Sequence, residues 1–272
     1  MVAELIAADP ISRALQTARE QRRAALIGYL VAGDPDLATT ESVVAAVAAA
    51  GLDILELGVP YGDPIADGPT IAAAGQRALL SGTTLEAVLG LVERLHHLLP
   101  VVLFTYFNPV HRFGVERFAE RAAAVGASGV IIPDLSLEEL EEVRGPLRKR
   151  GLLFPLLVAP TTSIDRATQI AAASEGFIYV VSRLGVTGEA SGPDLAWLED
   201  QVGRLREITA KPLAVGFGIS TPAQVARAAA CSDGVIVGSG LVSSYAESHG
   251  GEASGRAAGY VASLVAELGR PA

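Results

Sequence analysis

Residues 54–69 read Ile-Leu-Glu-Leu-Gly-Val-Pro-Tyr-Gly-Asp-Pro-Ile-Ala-Asp-Gly-Pro, a short apolar strand followed by a loop rich in Pro and Gly. Side chains alternate between the two faces of a strand, so Glu56 shares a face with Ile54 while Leu55 and Leu57 share the other. The Leu face suits a covering layer of helices. Glu56 is therefore predicted to point towards the inner side of the sheet.

The same stretch supplies a second carboxylate. Asp67 follows Glu56 by eleven residues, in a loop stiffened by Pro60, Pro64 and Pro69. An unpaired acid in an apolar strand is costly, so Glu56 needs a reason to be there. Two carboxylates in different environments suit acid–base chemistry on one substrate. The alternative for Glu56 is a structural buried acid satisfied by backbone donors, and the spacing alone leaves it open.

Short apolar runs like that of residues 54–59 recur along the whole chain. With two-sided hydrophobicity, they are typical of parallel strands covered on both faces. The eight runs are Ala25–Val31, Ile54–Val59, Val101–Tyr106, Gly129–Pro133, Leu152–Ala159, Phe177–Ser182, Leu213–Phe217 and Gly234–Gly238. Segments with helical spacing lie between and after them: Thr40–Ala50, Leu85–Leu98, Val115–Val125, Leu137–Lys149, Asp165–Ala173, Asp194–Thr209, Pro222–Ala229 and Gly255–Leu268.

Eight strands alternating with eight helices predict an α/β fold of the (β/α)8 TIM-barrel type. An extra N-terminal helix, Ile11–Gln21, precedes the first strand and could close the barrel floor. With no linker or break in composition, residues 1–272 are predicted to form a single domain. The competing interpretation is a doubly wound open sheet.

Composition restricts the possible partners and location. The 272 residues carry a formal net charge of −9, which argues against general binding of nucleic acid or anionic membranes. The one cysteine, Cys231, fits a reducing compartment. The first residues lack a basic segment followed by an apolar core, and no apolar run is long enough for a membrane span. A cytoplasmic location is expected.

Glycines end the last two predicted strands, at residues 216–218 and 238–240. Small residues there let backbone N–H groups approach an anion, and the loops after strands seven and eight are the usual phosphate site of this fold. Ordinary turn glycines are the alternative. The loop after strand six, residues 182–193, also contains three glycines and is predicted to be a mobile lid, or else a connection without a role.

Taken together, these segments resemble the tryptophan synthase alpha chain family. The resemblance extends from Gly33-Asp34-Pro35 to Gly238-Ser239, and its most specific part is Leu55–Pro69. Further matches are Tyr106-Phe107-Asn108-Pro109, Ile131-Ile132-Pro133-Asp134, residues 182–188 and Gly216-Phe217-Gly218-Ile219-Ser220. Their order and spacing agree with the family throughout.

The resemblance implies a lyase that cleaves indole-3-glycerol phosphate to indole and glyceraldehyde 3-phosphate in tryptophan biosynthesis. It assigns catalysis to Glu56 and Asp67, with no metal and no cofactor in this chain. It places Tyr29, Tyr106, Tyr179 and Thr187 among the substrate-binding residues, and Gly188, Gly218, Gly238 and Ser239 at the phosphate. The implied partner is a pyridoxal phosphate-containing tryptophan synthase beta chain, in an α2β2 tetramer.

Two positions depart from the family pattern. Gly62 stands where Ser is usual, and Glu189-Ala190 stands where Ala-Arg is usual. Both changes lie in the loops expected to close the site and communicate with the beta chain. The departures bear on the lid and on coupling to the partner more than on catalytic identity. The alternatives to an alpha subunit are a stand-alone lyase that releases free indole and a non-catalytic barrel that regulates the beta chain. Retention of both Glu56 and Asp67 argues against the second of these.

Overall fold

The computed structural model describes residues 9–182, 195–246 and 248–269, and its centre is a barrel of eight parallel strands. Seven neighbouring pairs make continuous ladders in the order β4-β3-β2-β1-β8-β7-β6-β5. A bridge between Gly129 and Leu153 joins the two outer strands, since the Val130 N–H donates to Leu153 O at 2.9 Å. The predicted barrel is thus confirmed, and the open sheet is wrong. The strands are β1 (Ala25–Val31), β2 (Ile54–Gly58), β3 (Val101–Phe104), β4 (Gly129–Ile131), β5 (Leu156–Val158), β6 (Ile178–Val181), β7 (Leu213–Gly216) and β8 (Gly234–Val237).

Helices surround the barrel and connect its strands. In the described residues they are α1 (Pro10–Glu20), α2 (Leu37–Ala49), α3 (Pro69–Leu80), α4 (Leu85–Leu95), α5 (Phe107–Phe113), α6 (Val115–Ala124), α7 (Leu140–Lys149), α8 (Ile164–Ala173), α9 (Leu195–Ile208), α10 (Pro222–Cys231), α11 (Ser239–Tyr245) and α12 (Gly250–Val265). None of the described helices is long and apolar enough to cross a membrane.

The apolar core has two layers, as the alternation in β2 predicts. Leu55 and Leu57 are fully buried in the outer layer between strands and helices. Ile54 belongs to the inner layer that fills the barrel. Glu56, between the two leucines in sequence, is therefore directed inwards, as predicted.

Helix α1 closes the floor of the barrel. Ile11, Leu15 and Ala18 are buried in the same cluster as the inward strand residues. A Cβ atom at Gly129 would lie 2.8 Å from Leu153 O and 3.2 Å from Cδ1 of Ile11, so glycine at this position admits both the closing bridge and the helix. The extra N-terminal helix predicted from the sequence is confirmed.

Three helices, α3, α5 and α11, were not predicted. Pro69 looks like the last residue of a Pro- and Gly-rich loop, but proline is well suited to the first helical turn, where its missing N–H has no intrahelical role. Most predicted strands also extend one or two residues too far at the C-terminal end, and the strand predicted from Leu152 begins only at Leu156. Apolar residues such as Val59 and Ile132 continue into the core beyond the strand ends, so hydrophobicity alone does not mark where a strand stops.

Candidate active site

Glu56 lies at the centre of the barrel interior, level with Tyr29 on β1 and Val102 on β3. Its side chain is fully buried, and neither carboxyl oxygen has a hydrogen-bond partner among the residues that the structure describes. Burial without compensation favours the neutral form and raises the pKa of Glu56 to about 8. The group is consequently protonated at neutral pH and able to act as an acid.

Asp67 occupies the loop between β2 and α3, where one phenol holds it. The Tyr106 hydroxyl donates to Oδ1 of Asp67 at 3.0 Å and accepts the Ala66 N–H at 3.0 Å. Burial raises the pKa of Asp67 to about 6, and the Tyr106 hydrogen bond opposes that shift. Asp67 is thus mainly ionised at neutral pH, whereas Glu56 is protonated.

Two further tyrosines extend across the barrel mouth over glycines. A Cβ atom at Gly58 would lie 2.3 Å from the Tyr29 hydroxyl oxygen, and one at Gly216 would lie 2.6 Å from that of Tyr179. Burial raises the pKa of both phenols well above the ordinary value, and the charge of Glu56 adds to the shift. Both hydroxyls therefore keep their protons and can donate hydrogen bonds.

The ends of β7 and β8 form the predicted glycine-rich corner. Phe217 and Gly218 both adopt positive φ, at 73° and 86°, so the chain turns sharply after β7. Gly238 immediately precedes α11 and packs beside the ring of Tyr29. Gly240 has a structural role, since it leaves space for the Tyr260 hydroxyl, which donates to Ser220 O at 2.7 Å.

A small cavity of about 50 Å³ brings most of the predicted residues together. Its walls include Tyr29, Asp67, Tyr179, Gly218, Gly238 and Ser239. Glu56 and Tyr106 are not in its walls, and Tyr106 reaches the site through its bond to Asp67. Since ligand pockets usually measure about 300–1,000 Å³, this cavity must widen to take a substrate of the predicted size.

A cleft of about 1100 Å³ opens at the opposite end of the barrel. Residues that precede the strands line it, including Arg23, Leu153, Glu175 and Pro212. Catalytic residues of this fold lie after the strands, at the carboxyl ends. The small cavity rather than the large cleft is thus the candidate active site.

Some predicted site residues lie outside the described part of the chain, and some site residues were not predicted. Thr187, Gly188 and the predicted lid Leu184–Pro193 fall in residues 183–194. The unpredicted residues that line the cavity include Ile71, Phe104, Phe217 and Ile236. Alternation along β3 would have identified Phe104 as inward-facing, whereas Ile71 belongs to the unpredicted helix α3.

Fold and site together define a class of protein: a (β/α)8 barrel with two carboxyl groups of raised pKa and a glycine-rich corner at its strand ends. In the described residues, no three His, Cys, Asp or Glu side chains gather in a metal-binding group. The family model for "Tryptophan synthase alpha chain" matches residues 15–266. The chain therefore belongs to the tryptophan synthase alpha chain family.

Individual relatives agree with the family model. A tryptophan synthase alpha chain from Picosynechococcus sp. is 47% identical over 235 residues, covering 85% of this chain and 89% of the relative. One from Geobacter sp. is 44% identical over 259 residues, covering 93% and 96%. A solved structure of Mycobacterium tuberculosis tryptophan synthase superimposes with a TM-score of 0.89 at 37% identity, covering 97% of this chain and 100% of that chain.

The activity follows from this membership. The chain is a lyase of tryptophan biosynthesis that cleaves indole-3-glycerol phosphate to indole and glyceraldehyde 3-phosphate. The findings do not favour a stand-alone lyase or a non-catalytic regulatory barrel.

Proposed function

We propose that Glu56 is the proton shuttle of this cleavage and that Asp67 stabilises the charge that develops on the indole ring. The observation that supports this proposal most strongly is the carboxyl group of Glu56, fully buried and without a hydrogen-bond partner among the described residues. A group so placed is kept neutral until substrate arrives, and it then has one proton to give.

The reaction is a retro-aldol cleavage. Glu56 donates its proton to C3 of the indole, and the ring nitrogen becomes positively charged. The Glu56 carboxylate then takes the proton of the adjacent glycerol hydroxyl, that carbon becomes the aldehyde, and the C3–carbon bond breaks. The bonding electrons neutralise the ring nitrogen, so the net change is one proton moved from oxygen to carbon.

Asp67 acts on the opposite side of the ring. Its carboxylate accepts the indole N–H and lowers the energy of the cationic intermediate, an effect that is strong in a site shielded from water. Tyr106 fixes the direction of this carboxylate through its 3.0 Å bond. In the proposal, Thr187 contacts Asp67 when the lid closes, and Tyr29 and Tyr179 line the substrate pocket.

The phosphate is proposed to rest on backbone amides of Gly188, Gly218, Gly238 and Ser239. Phe217 and Gly218 both have positive φ, and turn conformations of this kind can direct backbone N–H groups towards an anion. The proposed cleavage requires no cofactor in this chain. A tryptophan synthase beta chain carrying pyridoxal phosphate is the proposed partner, in a cytoplasmic α2β2 tetramer, and family membership supports that assembly.

The test is indole release from indole-3-glycerol phosphate by the purified chain, with and without a beta chain, between pH 5 and pH 9. We expect low activity alone and stimulation by the beta chain. The pH profile of the rate should be bell-shaped. Asp67 must be ionised, which requires a pH above about 6, and Glu56 must be protonated, which requires a pH below about 8. A rate that stays flat through both limits would contradict the roles, and absence of stimulation at saturating partner would favour a stand-alone lyase.

A further inference from the structure

A second buried carboxyl group, unlike that of Glu56, has a charged hydrogen-bond partner. Asp34, in the loop between β1 and α2, is fully buried and receives two hydrogen bonds from Arg77 on α3. Nε of Arg77 lies 2.7 Å from Oδ1, and the second guanidinium nitrogen lies 2.9 Å from Oδ2. A bidentate pair fixes direction as well as distance, so it ties α3 to the β1 loop in one orientation.

Other contacts join the same two segments. Ser81, at the end of α3, donates to Gly33 O at 3.3 Å and to Ala78 O at 2.8 Å. Gly33 has a φ of +84°, and a Cβ atom there would lie 1.9 Å from Oγ1 of Thr83. The β1 loop therefore fits against the C-terminal end of α3 only with glycine at position 33.

The N-terminal end of α3 lies next to Asp67. The helix begins at Pro69, two residues after Asp67, and no side chain caps its first turn. Ile71, Ala74 and Ala78 pack this helix against Val31 of β1 and Val242 of α11. Twelve residues of helix span about 18 Å, so a tilt at the Arg77 end displaces the Asp67 end.

Helix α11 meets the same ion pair. Tyr245 is fully buried, and its hydroxyl has no hydrogen-bond partner among the described residues. Asp34 and Arg77 are the charged groups that act on this phenol, in opposite directions. Helix α11 begins at Ser239, in the proposed phosphate corner, and α3 begins next to Asp67. The Asp34–Arg77 ion pair therefore lies near both helices that lead to the site.

We propose that Arg77 is a positioning residue for the cleavage: by holding Asp34 it fixes α3, and α3 in turn fixes Asp67 against the substrate. The inference rests on the proposed function, because it assumes that Asp67 acts on the indole ring. Arg77 itself touches neither Asp67 nor the cavity; its effect is mechanical. A displacement of about 1 Å in an aligned catalytic group can cost roughly 100-fold in rate.

The chain provides a matched control at the opposite end of the barrel. Arg23 and Asp53 also form a bidentate pair, at 2.6 and 2.7 Å, between the segments that precede β1 and β2. Removing both charges of a pair avoids leaving a buried ion uncompensated. The variants to compare are therefore Asp34→Asn/Arg77→Met and Asp53→Asn/Arg23→Met, with Arg77→Lys as the conservative change.

Steady-state indole release and thermal unfolding are measured for each variant in the full chain. We expect Asp34→Asn/Arg77→Met to lower kcat about 10-fold or more, with a smaller change in KM. Arg77→Lys, which keeps the charge but not the bidentate geometry, should lower kcat less. The control variant should keep its kcat although it also loses stability. A kcat within twofold of wild type for a folded Asp34→Asn/Arg77→Met protein would overturn the proposal.

Asp67→Asn separates this proposal from the one on which it rests. If Arg77 acts through Asp67, adding Asp34→Asn/Arg77→Met to Asp67→Asn should lower kcat little further, whereas independent effects would multiply. Multiplying effects overturn the positioning role and leave the role of Asp67 intact. Wild-type kcat in Asp67→Asn overturns both.

Discussion

Glu56 lies in the middle of β2 and Asp53 precedes the strand, three residues away, and the two carboxyl groups have opposite environments. Asp53, just before β2, receives two hydrogen bonds from Arg23 and a third, at 2.7 Å, from the Leu26 N–H. Glu56 has no partner among the described residues. Asp53 is thus satisfied towards the floor of the barrel, whereas Glu56 is buried without a partner in its interior, where the proposed chemistry needs an acid.

The two cavities repeat this contrast. The cleft of about 1100 Å³ at the floor is rich in cations that already have partners, such as Lys211, whose ammonium group donates to the carbonyls of Ala171, Ala172 and Ser174. The cavity of about 50 Å³ at the mouth contains a carboxylate of shifted pKa. Volume alone would select the wrong end. Unsatisfied atoms and shifted pKa values occur at both ends, because Oδ2 of Asp9 and Nε of Arg144 lack partners among the described residues and burial raises the pKa of Glu175 in the large cleft. The position at the carboxyl ends of the strands is what distinguishes the small cavity.

The largest effect should come from removing the proton of Glu56. Glu56→Gln keeps the shape but cannot exchange a proton, so indole formation should fall by roughly 10²–10⁴-fold, the usual contribution of a general acid–base group. The assay is indole release at pH 7, with Asp53→Asn, just before the same strand, as the matched change. Retention of more than about half the wild-type rate by Glu56→Gln would mean that Glu56 is not the shuttle.

The same residue should make stability depend on pH. The pKa of Glu56 is about 8 in the folded chain against 4.5 ordinarily, so above pH 4.5 the unfolded state releases a proton that the folded state retains. The free energy of unfolding should therefore fall between about pH 4.5 and pH 8, by roughly 5 kcal/mol at most. Glu56→Gln should lack this part of the pH dependence.

Urea unfolding of wild type and Glu56→Gln at pH 5 and pH 8.5 measures the effect directly. Every other titrating group is shared by the two proteins, so the difference between them isolates Glu56. The advantage of Glu56→Gln should grow towards high pH. An equal difference at both values would show that Glu56 is not held neutral by burial.

Alternation in β2 was sufficient to direct Glu56 inwards, because a strand has only two faces. Helix α3 was not predicted because Pro69 follows a Pro- and Gly-rich loop and was counted as part of it. Proline is nevertheless common in the first turn of a helix. The Asp34–Arg77 pair joins residues 43 positions apart, and no local pattern reports such a contact. The proposed roles of the site residues came from resemblance, and the single-domain organisation stays a prediction.

A smaller effect should follow from blocking the glycine-rich corner. Gly218 has a φ of +86°, and Val there should raise KM about tenfold, equivalent to one lost hydrogen bond of about 1.4 kcal/mol to the phosphate. Gly151→Val is the matched control, since Gly151 has a φ of +76°, lies in open space and borders the cleft at the opposite end of the barrel. Both variants should lose stability through backbone strain, and only Gly218→Val should lose substrate affinity. Equal KM values would remove Gly218 from the phosphate site.

The smallest effect on catalysis is expected from Asp53→Ala, although it breaks three hydrogen bonds. Arg23 and Asp53 retain 19% and 13% exposure, so the loss should exceed that of a surface ion pair, at about 1–3 kcal/mol in the free energy of unfolding. The variant leaves Glu56 and the strand between them in place, and kcat should change less than twofold. Urea unfolding measures the expected loss of stability, and indole release from the same preparation measures kcat. A folded Asp53→Ala variant with a much lower kcat would show that the floor of the barrel affects catalysis. The assignment of Asp53 to stability and of Glu56 to catalysis would then be wrong.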